Sequence, residues 1–250
     1  MRLRWLAAPL LLALAAAGCT HNLARIQDPP RAVAVPTAFP WESMVYAART
    51  DAGVMVVDLG WYGSARALRG ALKRIGAAPE DVTDVFLTHS HRDHIAAWRL
   101  VSRARFHVLA GEVPLLTGQA EHRDVASRVA QAVLGNPAPW PGEVDVEPFS
   151  RDTAFVLGAD TLRAFELEGH TAGHAGYLFR GVLFVGDALF RSAVEGWRPA
   201  KRVFTADRRR NRASLAALRE RVRPYDVRWV CTAHAKCARA DERFLDRVLR

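Results

Sequence analysis

The sequence predicts an α/β fold in which mixed β-sheets are covered by outer helices. Three observations predict it. Short apolar runs recur from Met44 onward, of a length that suits strands. Some are separated only by tight turns, at Asp51-Ala52-Gly53, Gly158-Ala159-Asp160 and Arg180-Gly181, which makes their strands antiparallel neighbours. Others are separated by stretches of helical spacing, which suit crossover connections. Hairpins mixed with strand–helix units argue against a purely parallel sheet. The size agrees, since 250 residues, 50% hydrophobic and 24% charged, can bury one large core. That composition excludes a disordered chain, and three cysteines exclude a disulfide scaffold.

The elements follow in order. Residues 1–18 read as a signal peptide: Arg2 and Arg4 precede a twelve-residue apolar run broken by Pro9. Such a run is too short for a bilayer span, which needs ~20 residues. Two cleavage readings stand. Ala15-Ala16-Ala17 suits an ordinary signal peptidase and a periplasmic product. Ala16-Ala17-Gly18-Cys19 resembles a bacterial lipobox, with Ala16 where leucine is usual. The second reading accounts for a cysteine set directly after small residues. It predicts an exported lipoprotein of a bacterial cell envelope, held at the membrane through lipidated Cys19. Residues 19–43, with Pro29, Pro30, Pro36 and Pro40, read as a Pro-rich tether. One domain then fills 44–250. Strands are expected at 44–49, 53–58, 84–88, 105–109, 144–149, 153–157, 161–167, 176–179, 182–185 and 227–231. Helices are expected at 64–75, capped by Ser64 and stopped by Gly76, and at 95–101, 125–134, 210–222 and 241–249. The 125–134 helix rests on Val125, Val129 and Val133.

Chemistry gathers at the histidines. Six of the nine fall in three short stretches at strand ends. The densest is His89-Ser90-His91-Arg92-Asp93-His94, four potential metal ligands within six residues. Neutral imidazoles and carboxylates suit zinc and similar divalent metals, and a lone histidine would carry no such meaning. Gly169-His170-Thr171-Ala172-Gly173-His174 and Cys231-Thr232-Ala233-His234 are the other two stretches. Between them an apolar strand ends in Gly186-Asp187, a carboxylate well placed to bridge two metals or, more plainly, to form a turn.

These motifs, with Asp58 after an early strand, resemble the metallo-β-lactamase-fold hydrolases in content and order. The resemblance covers Met44 to the C-terminus. It implies a four-layer αβ/βα sandwich of two mixed β-sheets with outer helices, and a metal site at one edge between the sheets. It implies His89, His91 and His170 on one metal, Asp93, His94 and His234 on a second, Asp187 bridging, and Asp58 orienting the metal loop. The cofactor expected is two divalent metal ions, zinc in the first instance. Gly-His-Thr-x-Gly-His looks like glyoxalase II, with His174 read as a structural hydrogen-bonding residue. Asp93 and Asp187 are the expected catalytic carboxylates. Asp93 would orient the nucleophile or assist proton transfer, and a metal-bridging hydroxide would cleave an ester-like bond.

The substrate is expected to be a small molecule: a lactone, thioester or phosphoester. Asp187 stands where zinc β-lactamases of the commonest subclass carry a cysteine, which disfavours β-lactam hydrolysis. Sixteen residues after His234 leave little room for a glutathione-binding domain. Two rivals remain: a mononuclear-iron, persulfide-dioxygenase-like enzyme, and a non-enzymatic metal-binding lipoprotein. Basic residues outnumber acidic ones 35 to 26, and ten lie between Arg198 and Arg223. That excess reads as genomic composition and a solvated helix face, or as attraction to anionic lipid or substrate. No motif or aromatic interleaving supports nucleic-acid binding. Cys231 and Cys237 read as a buried small residue and a loop thiol, or, given export, as a disulfide bracing His234.

Overall fold

Two mixed sheets lie face to face, each covered outside by helices, in a computed structural model of the chain. The described residues are 21–22, 32–36, 43–61, 64–134, 143–192, 196–235, 237–240 and 244–249. The predicted leader over 1–18 and Cys19 lie outside them.

The first sheet has the spatial order β1 (His21–Asn22), β2 (Ala32–Pro36), β3 (Met44–Thr50), β4 (Gly53–Val57), β5 (Val82–Phe86), β6 (Arg105–Leu109) and β7 (Asp145–Phe149). Neighbours are antiparallel up to β4 and parallel beyond it. The second sheet begins with β8 (Thr153–Leu157), β9 (Asp160–Glu166), β10 (Ala175–Phe179) and β11 (Val182–Gly186). The chain then makes a separate hairpin, β12 (Leu189–Ser192) and β13 (Gly196–Pro199), and returns with β14 (Trp229–Thr232) and β15 (Ala238–Arg239) beside β11. Only the β11–β14 pairing is parallel in this sheet. The helices are α1 (Ser64–Arg74), α2 (Arg92–Ile95), α3 (Val113–Leu116), α4 (Val125–Leu134), α5 (Arg208–Val222) and α6 (Phe244–Leu249).

Strand alternation builds the layers. On β3, Val45 and Ala47 face outward onto Leu68 and Leu72 of α1, while Met44, Tyr46 and Ala48 face inward. The inward set meets Tyr177, Phe179 and Phe184 of the second sheet. That sheet's other face, with Leu183 and Val185, packs on Leu215, Leu218 and Phe244 of α5 and α6. Three apolar cores between four layers are the predicted αβ/βα sandwich.

Four details depart from the sequence reading. Part of the 19–43 tether is strand: Ala32-Val33-Ala34-Val35 pairs along β3, with Ala32 opposite Ala48 and Pro36 opposite Met44. Pro36, which lacks an amide donor, falls at the strand end. In place of the expected 95–101 helix, α2 starts earlier, at Arg92, and stops at Ile95, and Trp98–Val101 is a 3-10 turn. There the His94 carbonyl accepts from Leu59 and the Ala96 amide donates to Gly60, so both leave the helical ladder. The β12–β13 hairpin has no alternating pattern and was not expected. Finally, α4 forms over the predicted residues, yet its valines face solvent.

Candidate metal centre

The strands β4, β5, β11 and β14 deliver their C-terminal ends to one edge of the sandwich. At the end of β4, Asp58 adopts φ 56°, a left-handed conformation that turns its carboxylate back under the next strand's loop. Its Oδ1 accepts from the Thr88 amide at 2.8 Å, and its Oδ2 accepts from the Thr88 hydroxyl at 2.8 Å. The same Oδ2 lies 2.9 Å from His94 Nδ1, and Thr88 Oγ1 lies 3.0 Å from His89 Nδ1. Since Thr88 spends its proton on Asp58, it accepts from His89. Both Nδ1 atoms are thereby donors, and the Nε2 atoms of His89 and His94 face the site.

His91 is turned the other way. Its Nε2 lies 3.0 Å from buried Asp124, which leaves Nδ1 facing inward. His91 Nδ1 and His89 Nε2 then lie 3.0 and 3.2 Å from His170 Nε2. A tetrahedral ion held by nitrogens at 2.0–2.1 Å requires an edge of roughly 3.3 Å. The residues therefore fit a metal. Burial, then the neighbouring imidazoles, holds His89 and His170 well below the ordinary histidine range, in the neutral form that ligates.

The second group is anionic. His234 Nε2 lies 3.2 Å from Asp93 Oδ2 and 3.0 Å from Asp187 Oδ2, and His94 Nε2 lies 3.8 Å from Asp93. Asp187 spans both groups, with Oδ1 3.7 Å from His94 and Oδ2 3.7 Å from His170. Burial opposes charging His94, but Asp58 and Asp93 outweigh it and raise the ring to about 9. Burial likewise opposes His234, which Asp187 and Asp93 raise well above the ordinary range. Asp93 is lowered to about 2 against its burial, by His94 and His234. Two carboxylates facing two ring nitrogens thus demand positive charge. The buried His94 Nε2 and Asp187 Oδ1 have no hydrogen-bond partner among the described residues. Both atoms suit a second cation beside the first.

Supporting groups fix these side chains. The His174 ring, lowered to about 3 by burial and hence neutral, accepts from the Asp187 amide at 3.2 Å. Among the described residues it joins no group of three donors whose ligand atoms lie within 4.8 Å of one another. Gly186 has φ 49°, and a Cβ there would come within 2.7 Å of Thr88 Oγ1 and 2.8 Å of His174 Nε2. The His234 loop hangs from the first sheet, through Met44 N to Ala233 O at 2.8 Å and Tyr46 OH to Thr232 O at 2.8 Å. A Cys231–Cys237 disulfide closes that loop.

Two functional carboxylates escaped the sequence reading. Glu112 is 1% exposed and joins two loops that carry candidate ligands. Its Oε1 accepts from the Ser90 amide and hydroxyl, each at 2.6 Å. Its Oε2 accepts from the Thr171 hydroxyl at 2.7 Å and the Gly173 amide at 2.9 Å. An isolated Ala-Gly-Glu carries no local signal of that role. Asp124 is legible only as a helix cap, through its bond from the Ser127 amide at 2.8 Å. Its contact with His91 is long-range.

Comparison with known proteins agrees with this geometry. The profile of the Metallo-beta-lactamase superfamily matches residues 38–234. A hydroxyacylglutathione hydrolase of Gloeobacter violaceus is 32% identical over 176 residues, which is 70% of this chain and 55% of that protein. The chain thus spans little more than half the length of that relative. A metallo-beta-lactamase superfamily protein from Sulfolobus tokodaii superposes with TM-score 0.64 at 21% identity, over 88% of this chain and 84% of that one. The BLEG-1 B3 metallo-beta-lactamase gives TM-score 0.64 at 23% identity, over 85% and 95%. A protein solved in a di-iron-bound form gives 0.59 at 22% identity, over 82% and 93%. At these identities the structures establish the shared fold. With the profile covering most of the domain, the chain belongs to the metallo-beta-lactamase superfamily.

Proposed function

We propose that this protein is a dinuclear metal-dependent hydrolase, with zinc as the first candidate metal, that cleaves an ester-like bond. The observation that carries the reading is the Asp187 carboxylate, set between a three-histidine group and an acidic one. His89, His91 and His170 would hold one ion, and Asp93, His94 and His234 the other. Two divalent ions bound there would lower the pKa of a water and polarise the substrate oxygen. Asp93, its side chain 20% exposed at the mouth, is the group that can orient the attacking water and take up its proton. His94 and His234 hold that carboxylate ionised. The hydroxyacylglutathione hydrolase relative favours a thioester among lactones, thioesters and phosphoesters. In the same proposal the domain works at the cell envelope, tethered through Cys19.

Purified protein, stripped and reloaded with zinc or iron, should hydrolyse at least one member of a lactone, thioester, phosphoester and β-lactam panel and hold about two equivalents of metal. Asp187→Ala should hold fewer, lose most of the rate and stay folded, because the site lies at the sheet edge. Two tightly held metals and near-normal activity in Asp187→Ala would remove the bridging assignment. A single iron with oxygen uptake would replace the hydrolase by the dioxygenase reading.

A further inference from the structure

Exposed large apolar side chains are concentrated on one ledge beside the metal centre. Of seven such residues among those described, six are Val125, Val129, Val133, Leu134, Val203 and Phe204. The first four lie on α4, and the last two on the 3-10 turn Arg202–Phe204 that packs against it. Val125, Val129 and Val133 are 61%, 59% and 74% exposed, and their spacing puts them on one helix face. A stripe of this kind costs solubility unless something covers it.

The charge around the ledge identifies the cover. Arg123, Arg128, Arg202 and Arg208 are exposed and have no carboxylate within ion-pair distance among the described residues. Arg123, Arg202 and Arg208 line an open cleft of about 740 Å³ together with Val125 and Val203, and outnumber its two carboxylates, Asp124 and Asp207, which are engaged by His91 and the Arg210 amide. An apolar stripe edged by cations matches the boundary between anionic headgroups and acyl chains. A buried protein partner would fit poorly, since interface cores are depleted of unpaired charge. The ledge is also fixed to the site, because Asp124 both caps α4 and bonds His91.

We propose that α4 and the Arg202–Phe204 turn dock on an anionic bilayer surface and hold the mouth of the metal centre against it. The role is distinct from any acyl anchor at Cys19, which would restrain the chain without orienting it.

Hydrogen exchange on the full chain tests this locally, whatever the N-terminus does. Vesicles of phosphatidylcholine with phosphatidylglycerol should slow exchange over 125–134 and 202–206 by about tenfold at low salt. Pure phosphatidylcholine vesicles, or high salt, should give much less protection. Val129→Ser/Val133→Ser/Phe204→Ser should lose the protection while β10 and β11 exchange as before, which verifies folding. Absence of slowing on anionic vesicles overturns the proposal, as does equal slowing on neutral ones. Slowing that grows with protein concentration in the absence of vesicles also overturns it, and assigns the ledge to a second copy of the chain.

Discussion

Replacing Glu112 by alanine should loosen both ligand loops at once. The substitution strands the Ser90 and Gly173 amides and frees the Ser90 and Thr171 hydroxyls, all in a site closed to solvent. The hydroxyls can rotate toward other acceptors. The amides cannot, and each unsatisfied buried donor costs ~1–3 kcal/mol, so the total is about 2–6 kcal/mol. Glu112→Gln keeps one acceptor oxygen and opposes an NH₂ group to one of the two amides. Its cost should be about half as large. Because Ser90 lies between His89 and His91, and Thr171 follows His170, metal affinity should fall as well, by roughly 10–100-fold for such a supporting contact. Urea unfolding of the metal-free protein reads the first effect, and competition with a chelator reads the second. The order wild type, Glu112→Gln, Glu112→Ala should appear in both. Stability within ~0.5 kcal/mol of wild type, together with unchanged affinity, would refute the assigned role.

Three further outcomes are expected, the first two from described contacts and the third from the N-terminal sequence. Asp124→Ala removes the carboxylate that fixes the His91 tautomer and should weaken metal binding roughly 10–100-fold, beyond a loss of ~1 kcal/mol at the α4 cap; chelator competition compared with Asp124→Asn separates the two. Asp84 is buried against His107 at 2.8 Å and Arg105 at 2.9 Å; burial works against its charge, but bonds from His107 and Thr83 and the Arg105 charge leave its pKa below the usual value. A depressed carboxyl contributes stability above its unfolded pKa, ~3.9, and that contribution is lost as pH falls through the lower folded value. Asp84→Asn should therefore be less stable at pH 7 and approach wild type in strong acid; a gap that persists unchanged in urea titrations from pH 7 to strong acid would contradict this. Globomycin should leave the unprocessed precursor if Cys19 is lipidated, and normal processing under the drug would exclude the lipoprotein.

The sandwich was legible because strand periods survive in the sequence: β6, β8 and α4 coincide with the expected 105–109, 153–157 and 125–134. The candidate ligand residues were legible because they cluster in short loops, as His89 to His94 do. What local patterns do not encode is long-range. Glu112 and Asp124 act on loops 22 and 33 residues away in the chain. The α4 valines have helical spacing, and nothing local distinguishes a stripe aimed at a core from one aimed outward. Ala32–Pro36 was hidden by the prolines around it, although its Ala-Val alternation fits a strand beside β3.

The centre draws on both halves of the chain. Residues 89–94 come from the first sheet, and His170, Asp187 and His234 come from the second. Tyr177 crosses the interior to donate to the Leu87 carbonyl at 2.6 Å, just ahead of the first ligand loop. Cation affinity is therefore a gauge of how well the two sheets are docked. A ligand that binds only the docked state adds RT ln(1 + [L]/Kd) to stability, so melting temperature should track free metal concentration. By the same linkage, trimming an inter-sheet side chain such as Phe86 or Phe184, neither of them a candidate ligand, weakens metal retention as the sheets part. A substitution in the apolar interior can thus present as a metal-loss phenotype, and metal supply in the surrounding compartment can rescue it.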